Sequence, residues 1–146
     1  MPSLVRVRPV FRAVAITVVP EAALLDAAGW TEFEALVERA LRQRPPRVRR
    51  QLLMFLRAID FLALTRCGRR FEQLDARQRV RILTALQDSP ILLVRRGFWG
   101  LRTLIFLGYY AQPGVAAQIG YRAHRDGWLA RGLPDEAALA RSRSTP

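Results

Sequence analysis

Apolar side chains recur every three or four residues along most of the chain, the spacing of helices with one buried face, while the period-two alternation of a half-buried strand is hard to find. Thr31 and Glu34 have the Thr-x-x-Glu spacing of a capping box. Phe33, Val37, Ala40 and Leu41 then share a face up to Pro45-Pro46, which stops the helix. Val48, Leu52, Phe55, Ile59 and Leu62 form the next stripe, broadened by Leu53, Leu56 and Ala63, closed by Arg66 and ended by Gly68. Asp75 with Gln78 predicts another N-cap, ahead of Val80, Leu83 and Leu86 with Arg77 and Arg81 on the outer face, and Asp88-Ser89-Pro90 ends that segment. Pro90 suits the first turn of a further helix. In it Val94, Phe98, Leu101, Ile105 and Gly108 make one stripe and Arg95, Trp99 and Arg102 another. Pro113-Gly114 precedes a short helical turn, Val115 to Ile119, and the chain from Pro134 onward has the composition of a frayed tail. Phe11 to Val19 carries the β-branched residues of a strand, yet a lone strand would have no partner here, so it too is read as helix. The expectation is an all-α fold, one domain of five or six helices over residues 1–146.

Composition sharpens this picture. The 146 residues suit one domain, and 51% hydrophobic content excludes a disordered chain. All 24 basic residues are arginine, against 12 acids, for a net charge of +12. That excess is concentrated: residues 41–102 hold 15 arginines and 4 acids, whereas residues 1–40 hold 4 and 5. Several helices must therefore present arginine-bearing faces. The single cysteine, Cys67, excludes an internal disulfide framework and a multi-cysteine zinc site, and it reads as a reduced packing residue. No stretch offers the roughly 20 uninterrupted apolar residues of a spanning helix, because Arg95, Arg96 and Arg102 interrupt Ile91 to Tyr110. Arg6, Arg8 and Arg12 precede only a short apolar run, Ala13 to Val19, at the low edge of a signal-peptide core. The pairs Arg49-Arg50, Arg69-Arg70 and Arg95-Arg96 lie too far inside the chain to direct export.

Candidate chemistry is sparse. There is no nucleophile elbow, no phosphate-binding glycine loop and no carboxylate pair placed for acid and base work. His124, the one histidine, has no second ligand at metal spacing and reads as a surface residue. Asp60, between Ile59 and Phe61, would be costly to bury unpaired, so an arginine partner is expected. Tyr109, Tyr110 and Tyr121 read as core caps with a hydroxyl at the edge. The arginine faces admit a solvated surface, a nucleic-acid surface or a protein interface. Arg95, Trp99 and Arg102, at i, i+4 and i+7, have the hot-spot composition of the last.

Taken in order, the segments Pro46-x-Val48-Arg49-x-Gln51-Leu52, Gly68-Arg69-Arg70-Phe71-x-x-Leu74, Leu83-x-x-Leu86-x-x-Ser89, Arg96-Gly97-Phe98-x-Gly100-Leu101-x-x-Leu104, Gly108-Tyr109-Tyr110-x-x-Pro113 and Ile119-Gly120-Tyr121 form a pattern. It resembles the small, or gamma, subunit of gluconate dehydrogenase and related small subunits that accompany flavin-dependent oxidoreductases of the glucose-methanol-choline family. It is similar as well to the region preceding the flavin domain of single-chain long-chain alcohol oxidases. The likeness covers about residues 10–123.

The resemblance implies a non-catalytic accessory subunit without a cofactor of its own, bound to a large FAD-carrying subunit. That partner would oxidise an alcohol or sugar hydroxyl and pass electrons to a cytochrome or quinone. A permanent contact of this kind wants arginines beside aromatics. The candidate interface residues are Arg69, Arg70, Phe71, Arg95, Trp99, Arg102, Tyr109, Tyr110 and Tyr121. Without a convincing twin-arginine signal the expected location is the cytoplasm, at most peripheral at the inner membrane, rather than the periplasm. Two other classes stay open: an arginine-rich helical nucleic-acid-binding protein, and a peripheral membrane adaptor using Phe98, Trp99 and Arg102.

Overall fold

The helical spacing is realised as six α-helices, with no strand, among residues 4–120, the part of the chain that the computed structural model describes. They are α1 (Arg8–Val18), α2 (Ala27–Arg42), α3 (Pro46–Cys67), α4 (Ala76–Gln87), α5 (Leu92–Tyr110) and α6 (Pro113–Gln118). Short 3-10 turns stand at Val5–Val7, Pro20–Leu24 and Phe71–Gln73. The expected tail from Pro134 onward, His124 and Tyr121 lie outside the described residues.

The segment with strand-like composition is the innermost helix. Val10, Phe11, Ala13, Val14 and Ala15 of α1 are buried, and α1 touches α3, α4 and α5. Burial of this kind overrides the local preference of Val, Ile and Thr. The helix ends where Val19, held extended, meets Pro20.

Several expected boundaries move. α2 starts at Ala27, capped by Asp26, whose carboxylate accepts the Gly29 N–H at 2.7 Å. Thr31 sits inside the helix and donates its hydroxyl to Ala27 O, so the Thr31–Glu34 capping box does not form. An extra turn before Thr31 buries Trp30 on the core side, stacked on Phe33 at 5.3 Å. Glu34 is thereby freed for a different task, described below. α5 begins at Leu92, with Pro90 outside it rather than in its first turn; the Ser89 hydroxyl accepts the Ile91 N–H. In α3 the buried stripe is Leu52, Leu56, Ile59 and Ala63, rotated from the expected one, which leaves Val48 exposed and Phe55 and Leu62 on its flank. Likewise α4 buries Ile82 and Leu83 and exposes Val80. The caps at Asp75 and Gly68 stand as read, Gly68 with a φ of 68° that favours glycine.

α5 is the helix against which α2, α3 and α4 all pack. Phe98, Leu101, Ile105 and Gly108 face inward, as their spacing predicts. Gly108 marks the crossing with α2: a Cβ there would lie 2.3 Å from the Phe33 ring and 2.7 Å from Val37 Cγ2. Phe33 is in turn held by Phe11, at 5.7 Å, and by Trp30.

Candidate partner interface

With one face of α5 committed to the core, its other side is defined by the 100° step of the helix. Phe98 is 4% exposed and its neighbour Trp99 49%. Leu92, Arg95, Trp99, Arg102, Phe106 and Tyr110 fall at steps of three and four along this outer side. The Arg102 guanidinium sits 5.1 Å from the centroid of the Trp99 ring and 5.2 Å from that of Phe106. Phe106 continues to Tyr110 at 6.0 Å, and Tyr110 meets Tyr109 edge-on at 5.1 Å. The result is an aromatic seam with an arginine clamped into it. Arg102 also borders a groove of about 180 Å³ between α4 and α5, where Val80, Leu83 and Phe98 line the apolar part.

Arg102 has no carboxylate partner among the described residues. Among the described residues both ion pairs converge on Glu34, which takes Arg8 Nε at 2.9 Å and Arg12 Nε at 2.7 Å. Arg8 and Arg12 stand one turn apart on α1, so a single largely buried carboxylate clamps α1 to α2. Arg12 rests 5.0 Å over Trp30 as well. The neighbouring acid Glu38 accepts the Leu4 N–H at 2.7 Å. Three of the five acids of the first forty residues, Asp26, Glu34 and Glu38, are thus engaged within the fold, and two acids further along are as well. Asp75 caps α4, and Asp60 accepts the Phe71 N–H at 3.0 Å. The expected arginine partner of Asp60 is therefore replaced by a backbone amide, because the turn after α3 delivers Phe71 N–H directly to it. The arginine excess of the middle segment is left facing outward.

The nine candidate interface residues separate accordingly. Arg95, Trp99, Arg102 and Tyr110 share the α5 seam. Arg69 and Arg70 are exposed on the turn that follows Gly68. Phe71 is not a contact residue: it is fully buried, a plug under the turn, with its N–H on Asp60 and its carbonyl taken by Arg79 Nε. Tyr109 is also inward, 8% exposed. Burial pushes its phenol above the usual value of 10.0, and the charges of Glu21 and Tyr110 add to the shift. Tyr121 lies outside the described residues. Reading by residue type missed Phe106, whose signal was its position one turn beyond Arg102, and the apolar residues on the outside of α3.

For catalysis the described residues offer little. No group of three His, Cys, Asp or Glu is placed to hold a metal among them. The groove at Arg102 and a smaller recess of about 80 Å³ beside Asp60 fall below the 300 Å³ or so at which pockets enclose cofactor-sized molecules. What the arrangement can do is bind a surface. The chain matches the family model described as gluconate 2-dehydrogenase subunit 3 over residues 8–128. No curated protein and no solved structure matches it.

Proposed function

Because this chain belongs to the gluconate 2-dehydrogenase subunit 3 family, it is an accessory subunit of a dehydrogenase complex, and we propose that it binds and stabilises the large subunit of that complex through the outer side of α5. The partner in this reading is an FAD-dependent alcohol or sugar dehydrogenase of the glucose-methanol-choline type, which carries the flavin and the substrate site. The small subunit contributes no reacting group. The observation that carries the reading is Arg102, clamped between Trp99 and Phe106 with no acid of its own among the described residues. A long cationic side chain already held in one position loses little freedom on docking, and arginine beside tryptophan is the composition of interface hot spots. A partner carboxylate meeting Arg102 would complete a pair that the described residues leave open.

The test is co-expression with the flavoprotein encoded beside this chain. A yellow, stoichiometric complex should co-purify, and the flavoprotein expressed alone should be less soluble or less stable to heat. Recovery of the flavoprotein with full stability and no bound small subunit would refute the proposal.

A further inference from the structure

The helix α3 has an outer side that neither the core nor the α5 seam explains. Its buried residues, Leu52, Leu56, Ile59 and Ala63, define one face, and directly opposite run Arg47, Arg50, Met54, Arg57, Phe61 and Leu64, at steps of three and four. Met54 is 64% exposed, Phe61 67% and Leu64 50%. At 1.5 Å per residue the stripe is about 25 Å long. Asp60, the one acid of α3, lies off this side and is engaged by the Phe71 N–H. The stripe is therefore purely cationic and apolar.

Charge decides what can cover it. A second copy would bring six arginines together along one seam with no acid on the stripe to offset them, so self-pairing is disfavoured. The surroundings deepen the sign, since residues 41–102 carry 15 arginines and 4 acids. Shape argues next. The stripe lies on the outer side of α3, and neither of the two recesses described above includes Met54, Phe61 or Leu64. A fluid surface can close over such a side without a matching cavity. No helix among the described residues is long and apolar enough to cross a membrane, so contact would be superficial.

We propose that the outer side of α3 docks on an anionic lipid surface. Phe61, Met54 and Leu64 enter the boundary between headgroups and acyl chains, while Arg47, Arg50 and Arg57 lie along them and reach lipid phosphates. This also relocates the membrane reading considered from sequence, since Phe98, one of the three residues it used, is buried in the core. Each arginine at an anionic surface contributes roughly a fivefold gain in partitioning, which falls as salt rises.

Sedimentation of the full chain with vesicles tests this, using phosphatidylcholine alone and phosphatidylcholine with phosphatidylglycerol. Binding should require the anionic lipid. The exposed double substitution Met54→Gln with Phe61→Gln should weaken it about tenfold or more, and Arg50→Gln with Arg57→Gln to a similar degree. Phe61→Trp should keep or tighten it. The substitution Trp99→Ala should leave it unchanged, and the complex with the flavoprotein should still sediment. Absence of binding would overturn the proposal. So would binding that ignores Met54 and Phe61, since charge alone would explain it, as would a chain that retains RNA but not vesicles. Loss of vesicle binding on assembly would assign this side to the protein partner instead and overturn it equally.

Discussion

Truncating Trp99 to alanine separates the two uses that a large aromatic on α5 can have. Trp99 is 49% exposed, and an aromatic side chain at the large end of its class offers about 250 Å², so about 120 Å² is open in the free subunit. Covering that area at about 25 cal/mol/Å² is worth at most about 3 kcal/mol. The expected loss of assembly is therefore about 2 to 3 kcal/mol, or roughly 30- to 150-fold in Kd. The free subunit should change far less. Trp99 stands outside the buried core cluster, and its closest described aromatic-ring contact is the Arg102 cation, worth about 0.5 to 1 kcal/mol at an exposed site. Alanine returns a few tenths through its better helix propensity. A thermal melt of the free variant beside a titration with the flavoprotein reads both quantities. Arg102→Ala should act in the same direction, and the double variant should lose less than the sum of the two, because the two side chains touch. A free variant that loses 3 to 5 kcal/mol, as core truncations do, yet assembles normally would refute the reasoning.

Gly108→Ala should destabilise the free subunit by about 2 kcal/mol in urea melts, since its Cβ would meet a Phe33 ring that Phe11 and Trp30 hold in place. Gly100→Ala, with nothing within 4 Å of the added carbon, should instead stabilise by up to about 1 kcal/mol. Glu34→Ala, which strands Arg8 and Arg12, should lower stability by about 2 kcal/mol, less than for a fully buried pair because both arginines keep some solvent. Tyr109 in the folded chain holds its proton above pH 10.0, whereas the unfolded chain releases it there; stability contributed by its burial is complete below that pH and lost as pH rises further. Alkaline melts of Tyr109→Phe should fall less steeply than those of the parent chain. The purified chain, denatured, should release no flavin, haem or metal, and a stoichiometric cofactor in its absorption spectrum would contradict the accessory-subunit reading.

The number and order of helices were legible because their signals are local: Asp75 with Gln78, Gly68, Pro45-Pro46 and the stripe from Val94 to Gly108 each act within a turn or two. What was not legible depended on contacts remote in sequence. Thr31 and Glu34 have capping-box spacing, but Glu34 is claimed by Arg8 and Arg12, which are 26 and 22 residues earlier, and Asp26 takes over the cap. Asp60 was rightly seen as needing a partner. No rule of composition could say that the partner is an amide 11 residues on.

Which candidate interface residues face outward was not legible in the sequence, for a geometric reason. Candidate residues stand side by side at three places: Phe98 with Trp99 and Tyr109 with Tyr110 on α5, and Arg70 with Phe71 at the turn. One residue is a 100° rotation on a helix, so in each helical pair one member faces the core and the other is turned toward its edge or the solvent. Residue type does not choose between them. The crossing of α2 over Gly108 does, because it fixes the rotation of α5 and with it sends Phe98 and Tyr109 inward and Trp99 and Tyr110 outward. The same glycine that lets Phe33 approach therefore aims the Arg102 seam, and a change in that crossing should disturb assembly from inside the core. Gly108→Ala is thus expected to weaken flavoprotein binding as well as stability, while Gly100→Ala, on the outer side, tests the contact without touching the rotation.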